Sequence, residues 1–143
     1  MEEVWGSNPH GSTIFMYHVL MKKIYKSSET TNAPLSGAQE VDGLVFISGQ
    51  IHLNSDGKLQ GDTIEEQFDC VVSNVAKILE EADLTLSDVV RVHLYLTDID
   101  KLLALNKVYG NYFKHPLPAR TAIGVSALPL GASLEMDVVA ARL

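Results

Sequence analysis

A single cysteine in 143 residues, Cys70, excludes a disulfide within the chain and any cysteine-rich metal cage. A lone thiol suits a reducing compartment, so the cytoplasm is the expected location. No apolar run approaches the ~18–20 residues that would cross a bilayer, and no membrane-spanning helix is expected. Basic residues are also scarce. The 11 Lys and Arg against 18 Asp and Glu leave a formal charge of −7, with no basic cluster of five or more. A surface that tracks phosphates concentrates Lys and Arg, so nucleic acid is not an expected partner. His52, His93 and His115 show no metal-ligand spacing with one another or with Cys70. C-x-x-C, H-E-x-x-H, Walker, G-x-G-x-x-G and G-x-S-x-G patterns are all missing, so neither a metal nor a cofactor is expected.

What remains is an ordinary globular balance, 46% hydrophobic and 20% charged. A chain of this length buries roughly two-thirds of its unfolded surface, enough for one core without staples. Residues 1–20 stand apart. Glu2 and Glu3 occupy the basic start of a secretory signal, and "IFMYHVL" is only a short apolar patch, so a cleavable signal peptide is not expected. Met21-Lys22-Lys23 reads as a natural beginning. We therefore expect an N-terminal extension over 1–20, tag-derived or disordered, and a single domain over 21–143. Setting Glu2 and Glu3 aside leaves that domain a charge of −5.

Hydrophobic periodicity orders the domain. "KKIYKS" (22–27) alternates like an edge strand, and 30–43 reads as loop or irregular extended chain. "LVFISGQIHL" (44–53) is a strand with apolar residues on both faces, followed by a turn at Asp56-Gly57 and a possible short strand near 58–60. Thr63 and Glu66 form a capping box for a helix ending near Ala82, with Ile64, Phe68, Val71, Val75 and Ile78 on one stripe. Residues 89–97 predict a strand in which Val90, Val92, Leu94 and Leu96 face the core and Arg91, His93, Tyr95 and Thr97 alternate with them. A second helix is expected from Asp98 to about Lys114, its stripe being Ile99, Leu102, Asn106, Tyr109 and Phe113. Two strands, 120–127 and 133–143, close the chain. The order predicts an α+β fold: a mixed, mostly antiparallel sheet with two helices on one face. The other face lacks a cover, and the small residues Ala122, Gly124 and Ser126 point to self-association.

Four places could carry chemistry. Arg120 follows "PLPA", where Pro116 and Pro118 stiffen the backbone. It reads either as a hydrated arginine at a strand edge or as a guanidinium fork held for a carboxylate. Asn106 falls on an apolar stripe, where its amide needs a partner, in a loop or in a ligand. Glu135 sits in an apolar strand two residues before Asp137, as a solvent-facing pair or as a carboxylate that orders water. Gly49, in "SGQ" after Ser48, marks a bulge or a close approach of ligand or backbone. Cys70, beside a core stripe, reads as packing.

The motifs "SGQI", "N-x-x-Y" and "PARTAIGVSALPLGASLEMDVVA" resemble the RidA/YjgF family of reactive intermediate deaminases over residues 21–143. The resemblance implies a fold like that of bacillary chorismate mutase and a homotrimer with ligand clefts between neighbours. It implies cofactor-independent hydrolysis of 2-imino or enamine acids, such as 2-aminoacrylate, to 2-keto acids and ammonia. Arg120 matches the arginine that binds the substrate carboxylate, and Glu135 the glutamate that positions water. Ser48 and Gly49 match strand positions lining the cleft, Asn106 a nearby helix residue, and Ala122 a position whose backbone faces the ligand. Leu35 stands where many active members have an aromatic residue, and Ala122 where many have cysteine.

Overall fold

The computed structural model describes residues 4–7, 14–17, 23–25 and 33–143. Within 1–20, strands β1 (Val4–Ser7) and β2 (Ile14–Tyr17) pair antiparallel with each other. The rest of the expected extension lies outside the described residues. A six-stranded sheet follows, in the order β3-β4-β5-β8-β6-β7: β3 (Lys23–Tyr25), β4 (Ala38–Val41), β5 (Leu44–Ile51), β6 (Val89–Leu96), β7 (Ala119–Gly124) and β8 (Leu134–Ala141). Helix α1 (Ile64–Glu81) joins β5 to β6, and α2 (Leu102–Tyr109) joins β6 to β7. Every pairing is antiparallel except β6 with β7. The expected α+β class, with a mixed and mostly antiparallel sheet and two helices, is what forms.

Local chemistry accounts for most boundaries. The Thr63 hydroxyl accepts the Glu66 amide at 3.2 Å, and the Glu66 carboxylate accepts the Thr63 and Asp62 amides at 3.4 and 2.8 Å. The capping box thus satisfies donors that the first helical turn leaves open. One face of α1 buries Phe68, Val71, Val75 and Leu79 completely against Val45, Val92, Leu94 and Val138 of the sheet. Each such side chain contributes about 1.5–3 kcal/mol by leaving water, so truncating Phe68 to alanine would cost about 3–5 kcal/mol.

The structure departs from expectation in four places. Residues 38–41 form a strand, not a loop. Asp42 and Gly43 both have positive φ (52° and 77°), the two-residue hairpin geometry that an Asp-Gly pair favours, and Val41 pairs with Leu44 across it. Strand β5 has apolar residues on both faces as expected, with Val45 and Ile47 buried and Leu44 and Phe46 40% and 46% exposed. In β6 a bulge between Val89 and Arg91 puts Val89 into the core and leaves Val90 46% exposed, reversing the expected phase at the strand's start. The second helix is shorter than expected and opens with a 3₁₀ turn, Ile99–Lys101. That turn shifts the stripe onto Leu102, Leu105 and Tyr109 and leaves Ile99 and Asn106 exposed. The short strand near 58–60 is a single bridge, Leu53 to Leu59.

The two faces of the sheet differ. Val92, Leu94, Leu96, Leu134, Met136, Val138 and Ala140 face the helices and are buried. The opposite face carries Glu135, Asp137, His93, Tyr95 and the exposed Phe46 and Ile123. Among the described residues no helix is long and apolar enough to cross a membrane.

Candidate active site

Arg120 lies on β7, the edge of the sheet, after a cis His115–Pro116 bond. Its register partner is Val92 and that of Ala122 is Leu94, so both residues project toward the helices. The Arg120 guanidinium carbon sits 4.6 Å from the centre of the Tyr109 ring on α2. The Arg120 guanidinium makes no hydrogen bond or ion pair among the described residues, so its charge rests on a π face with the N–H fork unused. Ala122 packs on the core. Asn106 precedes Tyr109 by three residues on α2, close to one turn. Exposed, its amide meets no burial cost, contrary to the expected place on the stripe.

Glu135 belongs to the other face. It pairs in register with Tyr95, and its neighbours Leu134 and Met136 are buried on the helix side. The β5 ladder to β8 breaks between Ile47 and Gln50, the bulge that Gly49 signals. A Cβ built on Gly49 would overlap the Glu135 carboxyl, lying 3.0 Å from its Cδ, so glycine opens the room that this side chain fills. The Glu135 carboxyl forms no hydrogen bond among the described residues. Burial, and secondarily the Asp137 charge, push its carboxyl above the usual value of 4.5. Beside it the Ser48 hydroxyl donates to the Ser36 carbonyl at 2.6 Å. Ser48, Leu35, Ser36, Phe46 and Gln39 line an open depression of about 620 Å³.

The six expected site residues therefore fall into two groups. Arg120, Ala122 and Asn106 gather at β7 and α2; Ser48, Gly49 and Glu135 gather at β5 and β8, with the sheet between Arg120 and Glu135.

Sequence reasoning missed a network beside Glu135. Asp137 accepts from His93 Nδ1 at 2.7 Å and from the Tyr95 hydroxyl at 2.8 Å. Arg91 donates to His93 Nε2 at 3.1 Å and to the Thr121 hydroxyl at 2.8 Å. Because Arg91 must donate, His93 accepts through Nε2 and presents Nδ1–H to Asp137. The hydrogen bond to Asp137 pushes the Tyr95 phenol up to about 12, so it stays a donor. Strand alternation was the available signal, since it sets Arg91, His93 and Tyr95 on one face. Elsewhere, His52 is buried, within 2.9 Å of the Gln60 carbonyl and accepting from the Ser133 amide at 3.0 Å, a structural role. Cys70 donates to the Leu53 carbonyl at 3.4 Å, and burial pushes its thiol up, away from a nucleophile. No group of three or more potential metal ligands forms among the described residues.

A cation and a carboxylate whose side chains have no partner among the described residues thus sit on opposite faces of a six-stranded α+β sheet. The family profile described as Endoribonuclease L-PSP matches residues 26–142. The chain belongs to this family, which includes the RidA, YjgF and RutC proteins. It is 46% identical over 112 residues to a RutC family protein of Aquifex aeolicus, covering 76% of this chain and 89% of that one. It is 35% identical to the chloroplastic Reactive Intermediate Deaminase A of Arabidopsis thaliana, covering 84% of this chain and 66% of that one. The crystal structure of E. coli TdcF with bound serine superposes with a TM-score of 0.77 at 27% identity, covering 85% of this chain and 99% of that one.

Proposed function

We propose that this chain hydrolyses reactive 2-imino and enamine acids, such as 2-aminoacrylate and 2-iminobutanoate, to 2-keto acids and ammonia without a cofactor. The observation that carries this reading is the pair of unspent charges: Arg120 with a free guanidinium fork and Glu135 with a carboxylate of raised proton affinity. Arg120 holds the substrate carboxylate through two parallel hydrogen bonds. Glu135 accepts a proton from water as the water oxygen bonds to the imine carbon. It then returns that proton to nitrogen to give the carbinolamine, whose hydroxyl proton passes through the same carboxylate to nitrogen as the C–N bond breaks, ammonia leaves and the carbonyl forms. A carboxylate of raised pKa is the stronger base for the first step. Water and imine become keto acid and ammonia with no redox change. Ser48, Gly49, Asn106 and Ala122 line the cleft.

Arg120 and Glu135 project from opposite faces, so one copy's arginine meets its neighbour's glutamate. The clefts accordingly lie between the subunits of a homotrimer with the chorismate-mutase-like arrangement, in the cytoplasm. The deaminase name of the Arabidopsis relative and the serine bound to TdcF, itself a small α-carboxylate, support the substrate class. In an assay coupled to a dehydratase that releases the imine, Arg120→Ala abolishes turnover and leaves the assembly intact. Unchanged turnover overturns this reading.

Leu35, 51% exposed on the wall that includes Ser48, favours a second reading. The side chain at position 35 itself offers no polar group to the reacting centre, as in a trimeric binder of 2-keto acids. Thermal stabilisation by a keto acid without turnover of any imine selects that reading.

A further inference from the structure

We infer that Tyr109 is the positioning residue for Arg120: its ring is the platform that aims the guanidinium fork into the cleft. The inference rests on the reading of Arg120 as the carboxylate anchor. A free arginine side chain has four rotatable bonds, and a guanidinium usually gives them up to a carboxylate or carbonyl partner. Arg120 has no such partner among the described residues, yet its carbon lies 4.6 Å from the Tyr109 ring centre. A partner carboxylate would neutralise the charge and occupy the fork. A π face holds the cation and leaves every N–H free for the ligand.

The platform itself is rigid. Tyr109 is 8% exposed; its ring stacks on Phe113 at 4.7 Å and on Phe68 at 5.8 Å, with interplanar angles of 29° and 23°. Tyr112 meets Phe68 edge-on at 5.8 Å, extending the aromatic cluster through α1 and α2. The Tyr109 hydroxyl is buried and has no hydrogen-bond partner among the described residues. It therefore contributes nothing to fixing the ring; aromatic packing does that. Arg120 and Tyr109 come from consecutive elements, and Asn106 lies three residues before Tyr109 on the same helix. The N-x-x-Y spacing joins a polar group and a cation platform on one helix.

The test is steady-state imine hydrolysis by the full-length chain. Tyr109→Leu keeps apolar bulk and removes the π face; we expect KM to rise about tenfold, with kcat changing less than about threefold. Tyr109→Phe keeps the face and restores most of the lost affinity. Because Tyr109→Leu also alters the core, a second series replaces residue 109 with phenylalanine carrying one, two or three ring fluorines. Fluorination drains the ring face at nearly constant shape, so KM should climb stepwise with fluorine count. A purely structural ring gives no such trend. Arg120→Ala runs beside these variants. If it abolishes turnover while KM ignores both Tyr109→Leu and the fluorine series, the platform is wrong and the anchor stands. If Arg120→Ala turns over normally, the anchor reading itself has failed.

Discussion

Gly49 and Glu135 occupy one space: the methyl that any other residue would carry at position 49 overlaps the Glu135 carboxyl. The atoms in conflict are the end of a flexible side chain, so a larger residue moves the carboxylate and leaves the strands paired. Gly49→Ala is therefore a displacement experiment on Glu135. With a displaced water-orienting group, kcat for imine hydrolysis falls by about 10–100-fold while the circular dichroism spectrum is unchanged. Wild-type kcat in Gly49→Ala places the working carboxylate elsewhere.

Asp137 adds to the proton affinity that burial gives its neighbour Glu135. It lies two residues along the same face of β8, kept in place by His93 and Tyr95, and its negative charge adds to the desolvation that raises Glu135. The charged or titratable groups on this face are Asp137, His93, Tyr95 and Arg91; Ser48, Gly49 and Gln50 on β5 are neutral. A base with a raised pKa loses activity on acidification through that raised value. Removing the Asp137 charge lowers it, so Asp137→Asn shifts the acid limb of the kcat/KM profile to lower pH. His93→Gln serves as the control for loss of the His93–Asp137 hydrogen bond. An acid limb that stays fixed in Asp137→Asn assigns it to another group.

Periodicity made α1, β6 and β8 legible because each carries long apolar alternation, and the T-x-x-E cap fixed where α1 starts. Strand β4 was not legible as "AQEV", since one buried face four residues long gives too little pattern. The Asp42-Gly43 pair was the overlooked signal. Asn106 was placed on the wrong side of α2 because the stripe was counted through a 3₁₀ turn, whose period is shorter. Arg120 and Glu135 stood out as residues of unusual context. Their separation by the sheet was hidden, because a spacing of 15 residues carries no register.

Glu40 anchors the chain's C-terminal end and should govern its acid stability. It is 5% exposed on β4, accepting from Arg142 Nε at 2.7 Å and from the Tyr25 hydroxyl at 2.9 Å. The Arg142 hydrogen bond, outweighing desolvation, holds its carboxyl below the usual value of 4.5. A depressed folded pKa means stability that is fully present above about 4.5 and lost as pH falls through the folded value. Glu40→Gln should lose about 1 kcal/mol at pH 7 in denaturant unfolding, with the deficit shrinking toward pH 3. A deficit independent of pH removes charge from the explanation.

The opposite-face placement of Arg120 and Glu135 makes a sharper demand on assembly. If each cleft takes its arginine from one copy and its glutamate from the next, Arg120→Ala and Glu135→Ala are each inactive alone. Mixed within one closed ring, they leave some clefts whole, wherever a copy with intact Arg120 faces a copy with intact Glu135. In a three-membered ring that holds both variants one cleft in three meets both conditions, so about one third of wild-type activity returns. Co-expression with two different tags, followed by tandem purification and the imine assay, measures it. Phe46→Glu supplies the complementary arm, because it places a charge on the exposed apolar side of the sheet, where Phe46 is 46% and Ile123 45% exposed. Loss of the assembly by light scattering should then carry activity down with it. A mixed assembly that stays inactive, or an active monomer of Phe46→Glu, would return both groups to a single chain, where the sheet keeps them apart.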